Sequence, residues 1–174
     1  MSVVALACVT MTLASAGSSH ATPAQAAPTL RLIRDMVARE GQISYTSTTH
    51  NSADNATWVN RYTVEASAVS MDLPGCVLSF HWHTTVDEKP SQDLDSSITM
   101  AMVVSADVID METDVRRLNG ENGHGSYDSK FAPSIAVVRV AKNNGHTNTL
   151  DFRDYAQANR VARAIEKAAA LCAN

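Results

Sequence analysis

DYAQANRVARAIEKAAALCAN, residues 154–174, closes the chain and decides how the rest must be arranged. Tyr155, Ala158, Ala162, Ile165, Ala169 and Cys172 recur at spacings of three and four, which stacks them on one face of an α-helix. Gln157, Arg160, Arg163, Glu166 and Lys167 take the opposite face. Asp154 is placed to cap the helix, with Gln157 three residues on as the second half of a capping box. An amphipathic helix buries its apolar stripe against another element. Almost everything upstream has the pattern of β-strand, so a sheet is the expected partner.

Upstream of this helix the period is two. Ile43 to Thr48 is rich in β-branched and aromatic residues and predicts a first strand; Trp58 to Val69 predicts a second, with Trp58, Tyr62, Val64 and Ala66 on its buried side. Asp72-Leu73-Pro74-Gly75 is a turn by composition. Cys76 to Thr85 is the clearest strand, Leu78, Phe80 and Trp82 facing one way and Ser79, His81 and His83 the other. Polar Val86 to Ser96 is expected as a solvated loop. Ser97 to Val104 follows as a strand with Ile98, Met100, Met102 and Val104 inward, and Asp107 to Val115 continues it or begins a turn. Asn119 to Lys130, with three glycines, is expected as a loop. Ser134 to Ala141 and Thr147 to Phe152 pair through the Asn143-Asn144-Gly145 turn. A short helix over Thr29 to Arg39 precedes them all, with Leu32, Ile33, Met36 and Val37 apolar and Gly41 as its stop.

The expected fold class is therefore α+β. About seven antiparallel strands form a bent sheet or barrel, a C-terminal amphipathic helix closes it, and a short helix lies at the N-terminus. Across Gln42 to Asn174 this element order resembles the pleckstrin-homology-like barrel, in which meandering strands end in one helix that plugs the barrel mouth. The resemblance implies a scaffold that binds peptides, proteins or small molecules. Many eukaryotic pleckstrin-homology domains take inositol phosphates through Lys and Arg between the first two strands. Here that loop, His50 to Ala56, has neither, so that activity does not carry over.

With 174 residues and 45% hydrophobic content the chain suffices for one domain with a real core. Its net charge of -4 is spread without a basic run, which argues against nucleic acid and against a polybasic membrane patch. No charged residue occurs before Arg31. Val3 to Leu13 is apolar and is followed by Ala14-Ser15-Ala16 and Ala24-Gln25-Ala26, the pattern of a secretory signal peptide with two cleavage-like sites. The positively charged segment that normally opens a signal is missing, which predicts a true start upstream of Met1. The run is too short to span a bilayer, so no stable membrane span is expected once the signal is removed. Residues 1–26 are accordingly assigned to a signal and 27–174 to one exported domain, periplasmic or secreted. Cys8 would leave with the signal. Cys76 and Cys172 then remain, and an even pair in an exported chain predicts one disulfide tying the terminal helix to the strand that starts at Cys76.

Chemistry-bearing clusters are sparse. His81 and His83 share a strand face and are candidate metal ligands, but zinc needs a third, from His50, His124, His146 or a carboxylate on another segment. Asp110, Glu112 and Asp114 share a face if their segment is a strand; with Arg116 and Arg117 beside them they fit a solvated face better than a calcium site. Gly120, Gly123 and Gly125 around His124 match no phosphate-binding loop, and no nucleophile motif is present. The sequence thus predicts a non-enzymatic binding or accessory domain with no resident cofactor, its partner a protein, peptide or small molecule. A metal-binding protein built on His81 and His83 is one alternative. A carrier of a small apolar ligand, with Met100, Met102 and Met111 lining its cavity, is the other.

Overall fold

The structure, a computed structural model, describes residues 23–173. Val3 to Leu13 and Ala14-Ser15-Ala16 lie outside them. In chain order the elements are α1 (Pro23–Glu40), β1 (Gln42–Asn51), β2 (Ala56–Asp72), β3 (Val77–Val86), β4 (Lys89–Thr99), a short 3-10 turn (Met100–Met102), β5 (Val103–Asp110), α2 (Met111–Glu121), β6 (Tyr127–Ala132), β7 (Ala136–Lys142), β8 (Thr147–Phe152) and α3 (Tyr155–Cys172). The fold is α+β, with eight strands among the described residues. They form a five-stranded sheet, β4-β3-β2-β1-β6, and a three-stranded sheet, β5-β7-β8, every pair antiparallel. Among the described residues no strand ladder joins the two sheets, so no barrel closes.

Helix α3 lies where its pattern places it, with Ala158, Val161, Ala162, Ile165 and Ala168 buried. Tyr155, expected on that stripe, is 40% exposed. The small alanines let α3 pack closely against α1 while it also covers β5 and β7. Asp154 caps it by accepting from the Ala156 amide at 2.7 Å; Gln157 instead accepts from Arg160, so no capping box forms.

Helix α1 begins earlier than expected. Pro28 lies inside it and removes only the bond to the Ala24 carbonyl near the helix start. Burial of Ala26, Leu30, Ile33, Met36 and Val37 outweighs that loss, while Leu32 points to solvent at 41% exposed. The Ala24-Gln25-Ala26 cleavage-like site therefore lies within a helix whose Ala26 is part of the core. Gly41 ends α1 by close approach: a Cβ there would clash with the Val37 carbonyl and lie 2.8 Å from the Ala66 methyl. The Gly41 carbonyl accepts from the Ala66 amide at 2.7 Å, seating β2 under the helix.

Four segments depart from the sequence expectation. Lys89–Thr99 is a strand and not a loop. It is the outer edge of the larger sheet, where backbone pairing with β3 suffices and only Ile98 need be buried, so Pro90 and exposed charges are tolerated. Asp107–Val115 splits. Strand β5 stops at Asp110, which caps α2 by accepting from the Thr113 amide at 2.8 Å and its hydroxyl at 2.6 Å. Met111 and Val115 fit a helical spacing as well as alternation, and the cap decides for helix. Val104, expected inward, is 70% exposed because the 3-10 turn at Met100–Met102 resets the alternation. Lastly, Tyr127–Ala132, inside the expected loop, is edge strand β6 paired with β1.

Two clusters form the core. The larger joins α1 and α3 to the inner faces of both sheets, including Leu78, Phe80, Ile98, Val138, Leu150 and Phe152. The smaller, Ile43, Val64, Met111, Ile135 and Val137, lies between the sheets beside α2. The sulfurs of Cys76 and Cys172 are at disulfide distance, 2.11 Å, across 96 residues of chain.

Candidate functional site

Where the two sheets diverge beyond the smaller core cluster they leave a cleft of about 280 Å³. Its first wall is the register of β1. Tyr45 stands opposite Tyr62 on β2, and Ser47 and Thr49 stand opposite Phe131 and Ser129 on β6. Tyr45 and Tyr62 stack with centroids 5.1 Å apart and 11° between their planes, and Phe131 meets Tyr45 edge-on at 5.7 Å. The second wall is β7 and β8, where alternation turns Val137, Thr149 and Asp151 inward while Leu150 and Phe152 face α3. Asp114 and Val115 of α2 close one end.

The charges in this cleft are unevenly partnered. Asp114, 6% exposed, accepts from Arg117 at 2.9 Å and lies 3.5 Å from the Arg139 guanidinium. Arg117 also binds Glu121 at 2.7 Å; its hydrogen bond to Asp114, then that to Glu121, raises its proton affinity further. Arg117 Nε and Arg139 Nε are buried without hydrogen-bond partners, as expected where two guanidinium groups crowd one carboxylate. The Asp151 carboxyl is different: among the described residues it has no hydrogen-bond and no ion-pair partner. As a residue it is only half-buried, yet protein rings its carboxyl closely enough that burial, then the charge of Asp114, pushes its pKa up to about 7. Burial first, then the charge of Asp151, also raises the Tyr45 phenol above its usual range.

The expected pair His81 and His83 lies on the opposite, outer face of the larger sheet. Register sets His81 beside Asp95 and Ser67, and His83 beside Asp93 and Glu65. His81 Nδ1 is 3.0 Å from Asp95, its Nε2 contacts Asp93, and His83 Nδ1 is 3.8 Å from Asp93. The hydrogen bond to Asp95, followed by Asp93, raises the His81 pKa. Both His81 ring nitrogens are thereby occupied. Among the described residues no group of three or more His, Cys, Asp or Glu side chains converges to hold a metal ion. The third ligands considered are elsewhere: His50 bonds Thr57, His124 packs edge-on against Tyr127, and His146 sits in the β7–β8 turn.

The acidic trio does not share a strand face. Asp110 is the α2 cap, Glu112 pairs with Lys130 at 3.1 Å, and Asp114 turns into the cleft. Of the methionines expected to line a cavity, Met100 is buried in the larger core cluster, whereas Met111, at the edge of the smaller one, lines the cleft.

Sequence reasoning missed Tyr45, Tyr62, Asp114 and Asp151 as a group. Each lies on a separate element: the β1–β2 register brings Tyr45 to Tyr62, and α2 and β8 bring Asp114 and Asp151 to the same cleft. Compared with known proteins, the chain matches no family model, no curated protein and no solved structure.

Proposed function

We propose that the protein is an exported, non-enzymatic binding domain whose ligand occupies the cleft between the two sheets. The observation that carries this reading is the unpartnered Asp151 carboxyl, facing an aromatic wall in a cavity formed by both sheets and α2. A carboxyl without a protein partner, lining a concave and largely desolvated site, is free to take one from outside the chain. Clefts between packed layers are also where small ligands are usually held. The signal-like N-terminus and the cysteine pair support a periplasmic or secreted location. Antiparallel strands followed by a C-terminal helix are the part of the pleckstrin-homology-like resemblance on which this reading draws, and such a scaffold binds and does not catalyse.

Calorimetry against a panel of small polar compounds tests this, using the wild-type chain and a Tyr62→Ala/Phe131→Ala variant. Binding lost in the variant while its fold is retained supports the cleft. Binding that survives unchanged places the ligand elsewhere.

The metal-binding alternative keeps one observation in its favour, the proximity of Asp93 and Asp95 to the two histidines. Elemental analysis of purified protein, with a His81→Ala/His83→Ala control, decides it: stoichiometric zinc lost in the control would replace the cleft reading as stated.

A further inference from the structure

We infer that the cleft ligand is a small organic cation, an ammonium group held between the Asp151 carboxylate and the ring wall of Tyr45, Tyr62 and Phe131. This rests on the cleft being the binding site and adds the chemical class of its occupant.

Three observations lead to a cation. First, the charges around the cleft balance without Asp151. Arg117 and Arg139 face Asp114, and Glu121 takes the second contact of Arg117. Ionised Asp151 is the one negative charge left over, and an incoming cation supplies its missing partner. Second, Arg139, the cation closest along the sheet, is turned to Asp114, so no side chain competes for the Asp151 carboxyl. Third, aromatic rings attract cations through their negative faces, an interaction that strengthens where water is excluded. Tyr45, Tyr62, Phe131 and Asp151 line the same cleft, so the ring wall and the carboxyl are presented to one occupant. The cavity, about 280 Å³, suits an ammonium with a short substituent and not a polymer chain. Hydroxyls of Ser47, Thr49, Ser129 and Thr149 remain for a polar substituent.

The titratable and charged groups around Asp151 are Tyr45 from β1, Tyr62 from β2 and Asp114 from α2, with Arg139 on the same face of β7 and Arg117 paired to Asp114. Cation binding requires Asp151 ionised. Its pKa of about 7 therefore predicts affinity that is near its maximum at pH 8 and roughly 30-fold weaker at pH 5.5.

The test is a titration of the folded chain, followed by amide chemical shifts, with choline chloride and with its neutral isostere 3,3-dimethyl-1-butanol at matched ionic strength. The inference expects saturable shifts at Tyr45, Phe131 and Asp151 with the cation at pH 8. They should weaken by tenfold or more at pH 5.5 and in Asp151→Asn, and the alcohol should produce no comparable binding. Equal binding of the alcohol, or undiminished cation binding by Asp151→Asn, overturns the cation while leaving the cleft as the site. Saturable shifts confined to another surface overturn both.

Discussion

Replacing Asp151 with Asn should make the protein more stable, and only above acid pH. The carboxyl has an unfolded value of 3.8 and a folded value near 7, so the folded state holds its proton more tightly than the unfolded state does. Below pH 3.8 both states are protonated and the site costs nothing. Between there and pH 7 the unfolded chain releases a proton that the folded chain keeps, so stability falls as pH rises, and it levels off above 7. About three pKa units at 1.36 kcal/mol each set an upper bound of about 4 kcal/mol. Asn has nearly the same shape and no charge. Urea unfolding of wild type and Asp151→Asn from pH 4 to pH 8.5 should give curves that nearly coincide at pH 4 and separate progressively, the variant 1–4 kcal/mol more stable at the plateau. The Tyr45 phenol, raised in part by the Asp151 charge, should ionise at lower pH in the variant, read as absorbance at 295 nm. Parallel curves at every pH, or a variant less stable at pH 8, would refute the reasoning, because the carboxyl would then be satisfied in the native state.

Other outcomes follow from the packing. Replacing both cysteines with Ala should cost up to about 4–5 kcal/mol by the chain-entropy argument for so long a loop, and thiol titration of the unreduced, unfolded protein, taken without Cys8, should find none. Gly41→Ala should lower stability by about 1–3 kcal/mol in urea, because the new methyl meets the Val37 carbonyl and the Ala66 side chain. His81 gains its carboxylate partners on folding, so its stabilising contribution is full below pH 6.5 and is lost as pH rises through its raised folded value. A His81→Gln variant should lose that slope, with an NMR titration of the ring as the check.

Much of the fold was legible because its signals are local. Alternation in Cys76–Thr85 and in Thr147–Phe152, the Asn-Asn-Gly turn, and the three-to-four spacing in α3 each specify an element without reference to the rest. Edge strands carry no such signal. Strand β4 buries only Ile98, and β6 is held by its backbone bonds to β1 with Phe131 half-buried, so composition alone makes both resemble loops. Helix α2 was hidden by a pattern that fits two periods. The candidate site was the least legible part. Asp151 occupies a position on β8 where alternation predicts solvent, and nothing local to it shows that the β1 wall will stand opposite. The cysteine pair is the exception among long-range features, because compartment and count together left two candidates.

The cleft reading is tested most directly by mapping a bound ligand onto the chain. Amide shifts recorded with any compound that binds saturably should cluster on Tyr45, Tyr62, Phe131, Thr149 and Asp151, residues contributed by both sheets. Shifts confined to His81, His83, Asp93 and Asp95 on the outer face of the larger sheet would contradict it.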